Sequence, residues 1–325
     1  MNTAQLVQRA LTSPPGDRDA LLQEAADDGE AALPLAIALT ASADTGERAT
    51  GCDLLGRTAD LHPGLRTAAS AALLAAAAGE SDPEVLADLA RALGRTEDAR
   101  ATSVLCALAA HPDAGVRQET AVALGTCPPV EPVVAALTAL TGDEVPDVRN
   151  WAAFTLGFQL PVDGPAVRAA LRGRLTDPHR ETREEAVRGL ARRRDPDAVP
   201  LLAELLRDED GAHVLTFTAA RILGAPELLP ALRQYDPADP GVTEALRACD
   251  PSVQEQLLAA AWQLLTTLDR IRPDLDIGLT VDRFDQGLTL SLPDDLAWDV
   301  EALLARAEQD PDRAAGLVDV GLPRS

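Results

Sequence analysis

The chain has 325 residues, of which 46% are hydrophobic and 2% are aromatic. This hydrophobic content is sufficient for a continuous core, so we exclude intrinsic disorder, and the scarcity of aromatics argues against an all-β domain. All 29 basic residues are arginine, and the 52 acidic residues give a formal net charge of −23. An acidic chain is a poor ligand for phosphates, so we expect no nucleic acid as partner.

The first residues carry no apolar segment typical of a signal peptide, and no apolar run is long enough to cross a membrane. We therefore expect a cytoplasmic protein without a membrane partner. The cysteines are widely spaced and form no C-x-x-C pair, and we interpret them as reduced thiols. They are Cys52, Cys106, Cys127 and Cys249.

Residues 1–30 are predicted to form two short capping helices, separated by the breaker sequence that starts at Ser13. A repeated pattern follows, in which an anchor residue, often Arg, precedes a Gly by eight positions. Apolar or small residues at −1, +3 and +7 predict the buried face of a helix, and the Gly is interpreted as its terminator. A second apolar helix precedes each anchor. The anchors are 48, 86, 117, 149, 183 and 216.

The segment from Val116 to Gly125 and the segment from Val148 to Gly157 are the clearest copies. Their signature resembles HEAT repeats, in the short bacterial form also named after phycobilisome lyases. The resemblance covers about residues 30–235. It implies an all-α, right-handed solenoid of about six helix pairs in a domain at 31–235. It also implies a ladder of charge pairs between repeats, with Asp113, Asp147 and Asp177 as expected partners of Arg117, Arg149 and Arg183.

The residues from 236 to 325 depart from the repeat and are predicted to form an α+β extension that caps the last repeat. An amphipathic helix through Val253 and Leu268 is followed by alternating apolar residues at 277–281 and 288–292, which predict a β-hairpin. A final helix is expected at about 295–309.

No grouping of acid, base and nucleophile stands out, and the four histidines lack metal-ligand spacing. We therefore predict that the chain is not an enzyme and holds no metal or cofactor. An Arg-rich stretch at 168–194 is interpreted as a solvated helix face, with an anionic ligand as the alternative.

In solenoids of the type that the chain resembles, the second helix of each pair lines the concave face. Positions +1, +2 and +5 after an anchor point away from the core, and they carry aromatic and charged residues typical of a protein-binding surface. The alternative is that the aromatics fill grooves between repeats. The predicted partner-binding residues are Glu119, Asn150, Trp151, Phe154, Glu184, Glu185, Arg188, Phe217 and Arg221.

These observations favour a non-catalytic scaffold or adaptor that binds another protein, with a basic protein favoured by the charge. One alternative is an acidic immunity-type inhibitor of a basic toxin or nuclease. A second alternative is an enzyme similar to the bilin lyases.

Overall fold

A computed structural model describes residues 1–208, 212–281, 287–291 and 296–321. Backbone contacts divide the chain into two compact units, Met1–Gly189 and Leu190–Ser325, which we call unit 1 and unit 2. No helix among the described residues is long and apolar enough to cross a bilayer.

Unit 1 is a solenoid of stacked helix pairs, as predicted. We call the first helix of a pair its A helix and the second its B helix. After α1 (Thr3–Ala10) and α2 (Pro15–Ala26), the A helices are α3 (Gly29–Thr40), α5 (Arg66–Ala77), α7 (Thr102–Leu108), α9 (Glu131–Leu140) and α11 (Pro165–Arg172). The B helices are α4 (Thr45–Leu61), α6 (Pro83–Thr96), α8 (Ala114–Ala123), α10 (Pro146–Phe154) and α12 (Arg180–Arg192).

The B helices begin where the sequence supplies a cap, four residues before the anchor. The side chains of Asp44, Asp82 and Asp113 each accept a hydrogen bond from a backbone N–H in the first turn of α4, α6 and α8. The predicted core face is confirmed in α8, where Val116 and Thr120 are fully buried, and at Leu124 directly after it. Local capping and apolar spacing therefore specify the same helices.

The glycines at +8 do not all end their helices, and this part of the prediction was wrong. Gly56 and Gly94 lie inside α4 and α6. Each stands where the next B helix approaches most closely, so that an added β-carbon would meet backbone. The separations are 2.8 Å from a β-carbon added at Gly56 to the Cα of Ala92, 3.0 Å from one added at Gly94 to the Cα of Ala123, and 3.0 Å from one added at Gly157 to the Cα of Gly189. The glycine therefore allows successive B helices to pack closely.

The anchor arginines form a ladder between repeats, but with different acids from those expected. Arg149 donates from Nε and Nη2 to the two carboxylate oxygens of Asp177, at 2.8 Å each, and from Nη1 to carbonyls of its own preceding turn. Arg117 bonds Asp143 in the same manner. The partner is thus the acid of the following turn, 26 or 28 residues ahead, because that turn is the one stacked beside the arginine.

One rung of this ladder is replaced. The anchor of α6 is Leu86, and the turn position that holds Asp143 and Asp177 elsewhere holds His111. The Nδ1 of His111 accepts from the backbone N–H two residues ahead, at 3.1 Å, as the carboxylate of Asp143 does at 2.9 Å. His111 therefore makes the same hydrogen bond within the turn. Because the anchor is Leu86, the ion pair between an anchor arginine and the turn is absent here.

Unit 2 contains a further helix pair and an α+β region. Its helices are α13 (Val199–Leu205), α14 (Val214–Leu223), α15 (Leu229–Leu232), α16 (Pro240–Cys249), α17 (Pro251–Ile271), α18 (Val300–Arg306) and α19 (Pro311–Gly321). Its strands are β1 (Gly278–Val281), β2 (Leu288–Ser291) and β3 (Ala297–Asp299). Short 3₁₀ turns lie at Pro63–Leu65, Ala99–Ala101, Leu124–Thr126, Pro196–Ala198 and Pro226–Leu228.

The predicted hairpin is confirmed, with Leu279 of β1 opposite Leu290 of β2. A third antiparallel strand was missed, since Trp298 of β3 pairs with Leu290. The helix predicted at about 295–309 is α18, which begins at Val300 rather than at 295, because Asp299 caps its first turn through the N–H of Ala302. The last helix, α19, was not predicted. Residues 282–286 of the predicted hairpin loop, and 292–295, lie outside the described residues.

Leu290, Val300 and Leu304 pack with Leu264 and Leu268 of α17 in one buried cluster. This cluster gives the α+β region a hydrophobic core of its own. The boundaries predicted at residues 30 and 235 stay predictions.

Candidate functional site

The outward side of the B helices in unit 1 carries a groove of about 490 Å³, bordered by α6, α8 and α10. We call it the B-helix groove. Trp151 forms its wall on α10, and Glu119 and Val122 line it from α8. Its lining residues are Asp60, Arg91, Gly94, Arg95, Glu97, Gln118, Glu119, Val122, Ala123, Thr126, Trp151 and Gln159.

Three aromatic side chains follow one another along α10 and the turn after it. Trp151 is 37% exposed and Phe158 is 48% exposed. The ring of Phe154 meets Trp151 edge-on, with centroids 5.8 Å apart, and stacks on Phe158 at 5.9 Å. We call these residues the aromatic triad. Because apolar rings this exposed gain by being covered, the triad is the strongest candidate contact on this surface.

Phe158 was absent from the predicted site, although its neighbours were included. It lies in a π turn, Thr155–Gln159, that continues α10. Such a turn places side chains at angles that a 3.6-residue period does not predict. The signal that could have identified it was an apolar residue directly after Gly157, outside the repeated core positions.

The groove has a charged side as well. On α6, Arg91 donates from Nε to Glu119 at 2.9 Å and from Nη1 to Asp88 at 2.7 Å. Burial raises the pKa of Asp88, the charges of Asp53 and Glu119 act in the same direction, and Arg91 lowers it; the resulting pKa is about 6. The charges of this region are therefore largely satisfied within the protein.

The acids on α12 differ from one another. Glu184 bonds the Nε of Arg180 at 2.8 Å. Glu185 bonds Arg188 through Oε1, but its Oε2 is buried and has no hydrogen-bond partner among the described residues. Burial raises the pKa of Glu185, although the charge of Arg188 lowers it. On α10, the Oδ1 of Asn150 is likewise buried with no partner in the described part of the chain.

Seven of the nine predicted residues lie on the B helices of unit 1, and Glu119 and Trp151 line the same groove. Phe217 and Arg221 belong to unit 2. Arg221 borders a separate depression of about 310 Å³, where it lies 3.8 Å from Glu244.

The prediction that Phe217 is exposed was wrong, since it is 8% exposed and meets the ring of Tyr235 at 4.8 Å. The cap of α14 is His213, four residues before Phe217. Phe217 rather than Thr216 therefore occupies the anchor position in this repeat. Aligning the repeat on Gly224, which ends α14 with φ +62°, displaced the anchor by one residue.

The buried cysteines and the Arg-rich stretch at 168–194 show no evident chemistry in the part of the chain that the structure describes. Burial raises the pKa of Cys52 and of Cys249 to about 12, so neither is a reactive thiolate at neutral pH. In the Arg-rich stretch, Arg168 bonds Asp163 through two donors at 2.8 Å, and Arg174 bonds Asp177 at 3.1 Å. Pairing with acids within the protein supports the interpretation of this stretch as a solvated face.

Solved structures similar to this chain include YibA of Escherichia coli, with 22% identity and a TM-score of 0.62. The match covers 76% of this chain and 92% of YibA, and at this identity it indicates a shared fold alone. A comparison with curated protein sequences gave no match.

Two further similar structures correct the prediction that the chain is not an enzyme. One is the complex of CpcE and CpcF of phycocyanin lyase from Nostoc sp. PCC7120, with 21% identity, a TM-score of 0.43, and 68% and 94% coverage of this chain and that chain. The other is human deoxyhypusine hydroxylase, with 19% identity, a TM-score of 0.31, and 76% and 94% coverage. The prediction that the chain is not an enzyme rested on the lack of a grouped acid, base and nucleophile in the sequence, and it was wrong to exclude catalysis on that ground.

The sequence model of HEAT repeats matches residues 70–157, 130–224 and 165–261, which together span more than half of the chain. The helix pairs and the stacked B helices agree with that match, as do the anchor arginines Arg117 and Arg149. The chain belongs to the HEAT-repeat family.

Proposed function

We propose that this protein binds another protein on the B-helix surface of unit 1, with the aromatic triad at the centre of the contact. The observation that carries the proposal is the exposure of Trp151 and Phe158 beside a groove with a polar border. Protein interfaces concentrate binding energy in aromatic residues surrounded by polar ones.

The exposed area is large enough to matter. The two rings present roughly 190 Å² to solvent, from full side-chain areas of about 150–250 Å² each. At about 25 cal/mol per Å², covering them contributes about 5 kcal/mol before the costs of association. A patch of this size can support a specific contact when the groove beside it contributes further area.

A capture experiment with matched variants tests this proposal. The immobilised wild-type chain, the double variant Trp151→Ala/Phe158→Ala and the control Val130→Ala are each exposed to host lysate. Val130 is an exposed apolar residue at the start of α9, outside the triad. We expect a protein that the wild type and the control retain and that the double variant loses. A set of retained proteins identical for all three would contradict the proposal.

A more specific form of the proposal is that the partner is a basic toxin or nuclease that this protein inhibits. The net charge of −23 and the partnerless carboxylate oxygen of Glu185 favour a cationic partner. The activity of the captured protein, measured with and without this chain, decides this point. An unchanged activity would leave the binding proposal and remove the inhibitory one.

A further inference from the structure

The B-helix groove contains several hydrogen-bond donors that the protein itself does not use. Gln118 of α8 and Gln159 of the π turn line it, and neither side chain makes a hydrogen bond to the described residues. The indole N–H of Trp151 likewise has no acceptor within the described ranges. Indole is a donor only, and each amide brings two N–H groups. Arg95 adds to them, because it uses Nη1 alone, on Asp53 at 3.2 Å.

Small and apolar residues lie among these donors. Gly94 of α6 and Ala123 of α8 line the groove where the two helices approach, since a β-carbon added at Gly94 would lie 3.0 Å from the Cα of Ala123. Val122 and the ring of Trp151 line it as well. An occupant of the groove therefore meets apolar surface and free donors together.

These groups favour an extended, proline-rich chain as the occupant. The backbone carbonyls of a bound helix are engaged within that helix, so they offer the donors of the groove no acceptor. A polyproline II segment has no internal hydrogen bonds, so its carbonyl oxygens are free to accept. Proline has no backbone N–H that would need an acceptor in return. Grooves lined by aromatic side chains bind such segments.

The charges of the groove favour a basic residue in that segment. The arginines and glutamates that line the groove each form an ion pair with another residue of the protein. Asp60 of α4 is the one charged lining residue without an ion pair in the described part of the chain. A cation on the ligand can pair with Asp60, and the net charge of −23 attracts it from a distance.

The groove also sets the length of the segment. Its lining extends from Asp60 on α4 to Trp151 on α10, three steps along the stack of B helices. Packed helices lie about 8–10 Å apart, so three steps span up to roughly 24–30 Å. A polyproline II chain advances about 3.1 Å per residue, so about eight to ten residues are enough to cover this distance.

We propose that the B-helix groove binds a proline-rich segment of the protein partner, in polyproline II conformation, with a proline ring against Trp151 and a basic residue at Asp60. This inference rests on the proposed function, because it names the chemistry of the partner on the same surface. The carbonyl oxygens of the segment accept hydrogen bonds from Gln118, from Gln159 and from the indole N–H. Because the segment is extended before it binds, little conformational entropy is lost on binding.

The first test compares two peptides of equal charge on the full chain, at about 150 mM salt to screen non-specific attraction. The proline peptide is acetyl-Arg-Pro-Pro-Ala-Pro-Pro-Ala-Pro-Pro-Arg-amide, and in the alanine peptide alanine replaces every proline. An arginine at each end allows either direction of binding to reach Asp60. Trp262→Phe and Trp298→Phe leave Trp151 as the one tryptophan, so that its fluorescence reports on the groove. We expect the proline peptide to saturate the signal below about 1 mM and to bind about tenfold more tightly than the alanine peptide.

Matched variants locate the contact. Gln118→Leu keeps a side chain of similar size but removes its N–H donors, and it should weaken binding of the proline peptide about fivefold, which is the loss of one hydrogen bond. Gln8→Leu, in α1 and outside the groove, should leave binding unchanged within about twofold. Thermal melts check that both variants fold. The wild type should prefer the proline peptide about two- to fivefold over a counterpart with glutamine in place of both arginines, and Asp60→Asn should remove this preference.

Several results overturn the inference. Equal binding of the proline and alanine peptides, or no saturation by about 1 mM, does so without any variant. Tighter binding of the alanine peptide would indicate a helical occupant, and equal effects of Gln118→Leu and Gln8→Leu would place the peptide elsewhere. A preference for arginine that survives Asp60→Asn would overturn the ionic contact.

The capture experiment separates this inference from the proposed function. If it shows a partner that Trp151→Ala/Phe158→Ala loses, while the proline peptide fails to bind, the proposed function stands and the proline-rich segment alone falls. Proline-dependent binding without any captured protein would instead reject the proposed function.

Discussion

The close approach of α4 to α6 predicts that adding one methyl group should destabilise unit 1. At Gly56, the β-carbon of an alanine would lie 2.8 Å from Cα and 2.9 Å from Cβ of Ala92. Carbon atoms in contact prefer about 3.5–4.0 Å. The two helices would have to separate by roughly 0.7 Å or more at this point.

Two effects of opposite sign decide the magnitude. Replacing Gly by Ala inside a helix gains about 1 kcal/mol through helix propensity. Overpacking a tight contact costs about 1–3 kcal/mol, and the neighbour here is backbone, which cannot rotate away. We therefore expect Gly56→Ala to lower the free energy of unfolding by up to about 2 kcal/mol. At Gly16 in α2, no atom lies within 4 Å of the added carbon, and Ala should stabilise.

Urea unfolding, followed by the fluorescence of Trp151 in the Trp262→Phe/Trp298→Phe background, reports on unit 1. The difference between the two substitutions is the informative quantity, because both introduce the same methyl group into a helix of the same unit. If Gly56→Ala stabilises unit 1 as much as Gly16→Ala does, the glycine is not needed for helix packing and the reasoning fails.

Three further predictions concern the ladder. Asp177→Ala leaves Arg149 buried without its carboxylate and should cost about 3–5 kcal/mol in urea unfolding; a loss below about 1 kcal/mol would indicate that the pair is replaceable. Burial raises the pKa of Asp177, but the hydrogen bonds and charge of Arg149 lower it by more. The net shift of this pKa is therefore downward. The stabilisation by Asp177 is therefore present above about pH 4 and is lost as the pH falls through the folded-state pKa of this residue. The free energies of unfolding of the wild type and of Asp177→Ala, compared across acid pH, measure this loss. At the replaced rung, Leu86→Arg alone should destabilise, and adding His111→Asp should recover about 1 kcal/mol or more beyond additivity in a double-mutant cycle; additive effects would contradict the ladder register.

The sequence was sufficient to predict the helix pairs, because apolar spacing and capping residues agree in α4, α6 and α8. It was also sufficient for the core positions of α8. The partners of the anchor arginines could not be derived in the same way, since Asp113 and Asp143 are both acids in turns and both suit an ion pair. Only the stacking of one repeat on the next shows that Arg117 reaches forward to Asp143.

Single-residue displacements limited the prediction of the site. A shift of one position in the last aligned repeat moved Phe217 from the buried anchor position to an apparently exposed one. A π turn moved Phe158 onto the surface outside the expected period. The partnerless oxygen of Glu185 depends on distances across two helices, which a spacing pattern does not contain.

The π turn at Thr155–Gln159 has a consequence for how such a protein can change over time. A π turn is equivalent to one extra residue absorbed within a helix. Here it follows the part of α10 that carries Arg149 and the tightly packed core, so the first half of the helix keeps its place in the ladder. An insertion in the second half redirects surface residues while the frame of the repeat is retained. The two halves of a B helix can therefore evolve separately, one under selection for stacking and the other for what it touches.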